Sequence, residues 1–174
     1  MKKILAFAGS NHSKSINHQL IEFTAAQFTD CDVTILDIRK WELPIYSIDM
    51  DPDQTPEKIT KLISLIKDHD GFIISTPEHN GGTPAFFKNI IDWLSRREKN
   101  VFARKPLFLM STSPGAGGAT TNLKYLIHSL PFQGASIAAS FSLPSFFDNF
   151  KEGTITSDHF GEFKESIGEF KEAL

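Results

Sequence analysis

The stretch FIISTPEHNGGTPAFFKNIIDWL, Phe72 to Leu94, holds a strand, a loop and a helix in that order. Phe72 to Ser75 is a short apolar run of the kind that fills a buried strand. From Pro84 onward, Phe86, Phe87, Ile90, Ile91, Trp93 and Leu94 fall on one broad helical side, and Lys88, Asn89, Asp92 and Arg96 fall on the other. A continuous apolar strand that leads straight into an amphipathic helix belongs to a parallel sheet covered on both faces.

The same alternation runs along the chain. Further strand-like runs occur at Ile4 to Ala8, Val33 to Ile38, Leu107 to Met110 and Ala135 to Ala139, with amphipathic stretches between them. The carboxyl end places Phe160, Phe163, Ile167, Phe170 and Leu174 on a narrower stripe, with Ser157 or Asp158 positioned to cap a last covering helix. No linker, repeat or low-complexity tract interrupts the 174 residues, so one α/β domain over 1–174 is expected. A doubly wound sheet of about five strands binds ligands beyond the carboxyl ends of its strands, where strand order reverses. Function is therefore expected in the loops after strands one, three and four.

Composition narrows the partners. A formal net charge of -3 gives no basic footprint for nucleic acid or an anionic membrane, which favours small molecules. The single Cys31 cannot form an intrachain disulfide, consistent with a cytoplasmic protein. MKKILAFAGS imitates a secretory signal, but its apolar run is too short for one and reads as a buried strand.

The first loop, AGSNHSKSIN from Ala8 to Asn17, offers Gly9 for a tight turn and Ser10, Ser15 and Asn17 as small polar groups at a helix start. Free N–H groups and the helix dipole suit a phosphate there, although capping alone also explains Ser and Asn. The P-loop pattern fails, because Ser13 stands where glycine precedes the lysine and Ala8 where the first glycine belongs. The second loop stiffens its ends with Pro77 and Pro84, presents Glu78, His79 and Asn80, and leaves Gly81 and Gly82 open to close approach. A turn that merely caps the next helix explains Thr83-Pro84 but not the Glu-His-Asn run. The third, STSPGAGGATTN from Ser111 to Asn122, clears side chains at Gly115, Gly117 and Gly118. His18, His69, His128 and His159 lack metal-ligand spacing, Ser111 and Ser113 sit in no nucleophile elbow, and strand one ends without the acidic pair of a receiver domain. No metal is expected.

Three motifs in order, G-S-x-x-x-x-S-x-N, P-E-H-N-G-G-x-P-x-x-x-K-N-x-x-D-W and S-x-S-P-G-x-G-G, resemble those of the NADPH-dependent FMN reductase family of flavodoxin-like proteins. The resemblance implies a parallel sheet in order 2-1-3-4-5 with helices on both faces. It also implies bound FMN, with its phosphate at Ser10, His12, Ser15 and Asn17 and its ring against Pro77, Glu78, His79, Asn80 and Gly81. Ser113, Gly115 and Gly118 would lie along the other edge. NADPH or NADH would be the hydride donor, and a flavin, quinone or azo compound the acceptor. The flavin carries the chemistry, so no catalytic side chain is named. The family usually has Arg at the position of His12 and Tyr at that of His79, which exchanges a permanent charge for a titratable one and a phenol for a smaller ring. A flavin or nucleotide sensor without turnover would use the same pocket, and a member that binds no flavin is a third reading. The broad apolar side of the Phe86 to Leu94 helix points to a homodimer or homotetramer. Trp41, in WELPIY, reads as packing rather than as a lid.

Overall fold

The computed structural model describes residues 1–51 and 53–174, with the side chain of Ser157 outside the description. Five parallel strands form its sheet: β1 (Lys3–Ala8), β2 (Asp32–Ile35), β3 (Gly71–Thr76), β4 (Pro106–Thr112) and β5 (Ser136–Leu143). Their order is β2-β1-β3-β4-β5, so the sheet is flavodoxin-like, and the chain reverses direction across it between β1 and β3. A two-stranded hairpin, β6 (Phe150–Lys151) and β7 (Thr154–Ile155), stands apart from the sheet.

Alternation along each strand sends side chains to two separate cores. Leu5, Phe7, Phe72, Ile74, Leu107 and Leu109 face α2 (Glu57–Lys67), α3 (Ala85–Arg97) and α4 (Thr120–Ser129). Ile4, Ala6, Ile73, Phe108 and Met110 face α1 (Ile16–Ala25) and the final helix, which supplies Phe163 and Phe170. That helix, α6 (Ser157–Ala173), follows the single turn α5 (Phe146–Asn149). Thr156 occupies the cap position of α6 without a side-chain cap bond, one residue before Ser157 and two before Asp158, where the cap was expected.

Two strand boundaries differ from expectation. β2 stops at Ile35, and Asp37 turns the chain into a short 3-10 turn by accepting from the Arg39 amide, which puts Ile38 in the core from a turn. β5 runs on to Leu143, and its register against β4 slips after Ile137, so that Phe108 pairs with Ala139. The extra residue reverses parity: Ile137 packs towards the α2–α4 side, whereas Ala139, Phe141 and Leu143 pack towards α1 and α6.

The broad face of α3 is covered within the same chain. Trp41, Leu43, Tyr46 and Met50 pack against the cluster that holds Phe87, Ile90, Trp93 and Leu94. Trp93 Nε1 donates to the Pro44 carbonyl at 2.8 Å, and Asn89 Oδ1 accepts from the Tyr46 amide at 2.8 Å. Tyr46 meets the Trp93 ring edge-on at 5.1 Å. The width of this face therefore gives no reason for a second copy, and Trp41 belongs to the packing of this strap.

Candidate functional site

The loops after β1, β3 and β4 converge on a cleft of about 380 Å³ at the carboxyl edge of the sheet, beside the reversal point. Ser10, His12, Ser15, Asn17, Pro77, Glu78, His79 and Ser113 line it. Lys14, Ile16, Thr112, Pro114 and Phe147 also line it, and sequence reasoning did not single them out. Four of these five adjoin residues that were named; Phe147 comes from beyond β5.

The first loop leaves β1 through Gly9, whose amide donates to the Ser75 carbonyl at 2.8 Å. Gly9 is needed for space: a Cβ there would lie 2.6 Å from Cδ1 of Phe87. Ser15 caps α1, its hydroxyl accepting from the His18 amide at 3.3 Å. The first-turn N–H groups of a helix have no intrahelical partner, and Ile16 and Asn17, the first two residues of α1, line the cleft. His12 and Lys14 are exposed beside them. A helix N-terminus with a lysine and an imidazole forms an anion-favouring end.

Arg39 reaches this loop from the far side. Its Nε and Nη2 donate to the two Asp37 carboxylate oxygens at 2.7 and 3.0 Å, and its Nη1 donates to the Ser13 carbonyl at 3.4 Å. The hydrogen bond from Arg39 holds the Asp37 carboxyl below the usual carboxylate range.

Asn17 is committed to the protein. Its Oδ1 accepts from Ser75 Oγ at 2.7 Å and from the Thr112 amide at 3.2 Å, while its Nδ2 donates to the Thr112 carbonyl at 3.2 Å. It is 1% exposed, so its carboxamide staples the ends of β3 and β4 at the floor of the cleft.

In the second loop, Asn80 and Gly81 take left-handed backbone with φ of 52° and 78°. His79 and Gly82 exchange amide-to-carbonyl bonds of 2.9 and 3.0 Å across them, making a tight hairpin turn of the Asn-Gly kind. The turn carries Asn80 and Gly81 away from the cleft lining; Gly81 borders a neighbouring groove with Lys88 and Tyr125. Glu78 remains at the wall, where its carboxylate accepts from the Asn122 amide at 3.0 Å and so caps the first turn of α4. Asn122 Nδ2 in turn donates to the Pro77 carbonyl at 2.7 Å.

Gly115 and Gly118 of the third loop shape it from outside the cleft lining. Gly115 is exposed, and its carbonyl accepts from Ser113 Oγ at 3.0 Å and from the Ser145 amide at 2.9 Å. Gly118 is buried with φ of 57°, and a Cβ there would strike Ser142 Oγ and crowd Pro144. Both glycines serve the docking of the segment after β5.

A sheet in this order, with a phosphate-suited helix start at its reversal point and an apolar-walled cleft beside it, defines a flavodoxin-like nucleotide-binding protein. The model of the NADPH-dependent FMN reductase family matches residues 2–148, and the chain belongs to that family. It is 29% identical to an NAD(P)H-dependent FMN reductase of Schizosaccharomyces pombe, over 98% of this chain and 89% of that one. It is 36% identical to a 2-hydroxy-1,4-benzoquinone reductase from Burkholderia sp., over 71% of this chain and 67% of the relative. Among solved structures, the NAD(P)H:acceptor oxidoreductase FerB from Paracoccus denitrificans superposes with a TM-score of 0.77 at 25% identity, covering 99% of each chain. Family membership makes this chain a flavin-dependent oxidoreductase of the NAD(P)H-dependent FMN reductase kind, with FMN and NAD(P)H as cofactor and co-substrate.

The cleft suits FMN in both volume and chemistry. About 380 Å³ lies within the range of small-ligand sites. One end offers the Ser10 and Ser15 hydroxyls, the start of α1 and the Lys14 ammonium, and the other offers Pro77, Pro114 and Phe147. Among the described residues, no helix is long and apolar enough to cross a membrane.

Proposed function

We propose that the chain passes a hydride from NAD(P)H to a small electron acceptor, such as a quinone, a flavin or an azo compound, at FMN held in this cleft. The observation that carries the proposal is the convergence of the three loops on one open cleft, polar and cationic at α1 and apolar towards the third loop. When bound, FMN supplies the hydride-accepting and hydride-donating centre at its N5.

The protein's own residues bind and orient. The start of α1, with Ser10, Ser15 and the exposed His12 and Lys14, holds the phosphate end. Pro77, His79, Ser113 and Pro114 frame the ring end, and the Asn17 and Glu78 bonds keep the three loops in register. No side chain here has to transfer a proton for the hydride to move.

An open cleft with a single ring site must take donor and acceptor in turn. The expected kinetics are therefore parallel double-reciprocal lines when NAD(P)H is varied at several benzoquinone concentrations, using protein reconstituted with FMN. Intersecting lines would require donor and acceptor to be bound together and would contradict the shared site. Bound flavin without any turnover would favour the flavin sensor instead.

A further inference from the structure

We propose that Phe147 is a flavin-binding wall of the cleft, packing its ring against the flat ring system of the bound flavin on the side of α1. This inference rests on the flavin reading above and adds a residue outside the three loops that the family motifs occupy. A single exposed phenylalanine is ordinarily no more than tolerated surface. Three features set this one apart.

The first is position. Phe147 is 60% exposed, yet it lines the same cleft as Ile16 and Pro114. Its neighbour Phe146 is 2% exposed and belongs to the core on the α1–α6 side, so Phe147 approaches from that side. Glu78, by contrast, is tied to α4 on the opposite side of the sheet, and His79 follows it directly. A flat ligand in the cleft thus meets the second loop from one side and an aromatic ring from the other.

The second feature is fixation. The Ser145 amide donates to the Gly115 carbonyl at 2.9 Å and the Phe146 amide to the Ser113 carbonyl at 3.0 Å, which bonds the turn to the third loop. Asn149 Nδ2 donates to the Pro144 carbonyl at 2.9 Å and closes the turn on itself. Phe146 stacks on Phe150 at 4.8 Å, and Phe150 meets Phe23 of α1 edge-on at 5.6 Å. Phe147 is held at the cleft by hydrogen bonds to the third loop and by the ring contacts of Phe146 and Phe150, its own ring meeting Phe146 edge-on at 5.6 Å and staying 60% exposed.

The third feature is strain. Ser145, with φ of 43°, is a non-glycine residue in left-handed backbone immediately before the helical turn that presents Phe147. Such strain persists where the surroundings over-determine it, and it gathers at ligand sites. Of the two phenylalanines that follow it, Phe146 is buried in the core and Phe147 lines the cleft.

A ring fixed beside a flat ligand contributes by stacking, which is indifferent to the ligand's phosphate. The test is a fluorescence titration of FMN and of riboflavin against the wild-type chain and the variants Phe147→Ala, Phe147→Leu and Phe147→Trp. Phe147→Ala is expected to weaken both flavins by a similar factor of about ten, the scale of one aromatic stacking partner. Phe147→Leu should fall between, and Phe147→Trp should bind as the wild type does. The thermal midpoint should scarcely move, because the side chain is outside the core. Unchanged affinity for both flavins in Phe147→Ala, or a loss confined to FMN, overturns the proposal. Failure of the flavin reading is distinct, since the wild-type chain itself would then bind neither flavin.

Discussion

Asn17 illustrates how much of this cleft is held by single residues below its surface. Its carboxamide joins Ser75 and both backbone groups of Thr112, so the ends of β3 and β4 stay at one spacing. Asn17→Leu would leave the Thr112 amide and the Ser75 hydroxyl buried without this partner, at a cost of about 2 kcal/mol. Thermal unfolding should show a midpoint lower by about 4–8 °C, given a domain of this size. An unchanged midpoint would mean that water takes over these bonds. His12 is the opposite case, an exposed side chain free to meet a ligand. Arginine offers phosphate a permanent charge and a two-pronged fork, whereas an imidazole offers a single ring N–H. His12→Arg should tighten FMN at pH 8 by about 1 kcal/mol, on the scale of a charge-assisted hydrogen bond, and leave riboflavin unaffected. Equal gains for the two flavins would place His12 away from the phosphate.

Among the elements, the turn after β2 works as a brace for the first loop. Arg39 grips Asp37 with two bonds and the Ser13 carbonyl with a third. Asp37 is held below its usual range by the hydrogen bond from Arg39, so its folded form resists protonation more than the unfolded chain does. The stability it contributes is present above the unfolded value near pH ~4 and is lost as pH falls through the lower folded value. Asp37→Asn should therefore flatten the decline of the thermal midpoint below about pH 4, and parallel decline in both proteins would contradict the brace. The β–loop–α units were legible in the sequence because continuous apolar strands and helical spacing are strong local signals. The brace was not, since Ile38 carries the same apolar signal from a turn as from a strand. The end of β5 was hidden for a related reason: the bulge at Ala138 breaks the alternation on which strand reading depends. Asn80-Gly81 could have been read as a tight hairpin turn, which would have moved both residues out of the cleft. The tertiary bonds of Asn17 and Glu78 have no local sequence signal. Phe147 lay hidden because only the docking of the segment after β5 onto the third loop brings it to the cleft.

Across the whole molecule, the sheet divides two cores and leaves one carboxyl edge where the chain reverses direction. The strap from Trp41 to Met50 closes the apolar face of α3 within a single chain, so the cleft, rather than that face, is the surface with unspent binding chemistry. The central claim is that FMN in this cleft exchanges electrons with NAD(P)H and with a small acceptor. Its most direct measurement is an anaerobic titration of the FMN-reconstituted protein with NADPH or NADH, followed by visible absorption. The account predicts that one equivalent of donor per bound flavin bleaches the oxidised band and that benzoquinone then restores it. A flavin that binds tightly but stays oxidised with both donors, or that is bleached and then not restored by benzoquinone or any flavin or azo acceptor, would contradict it.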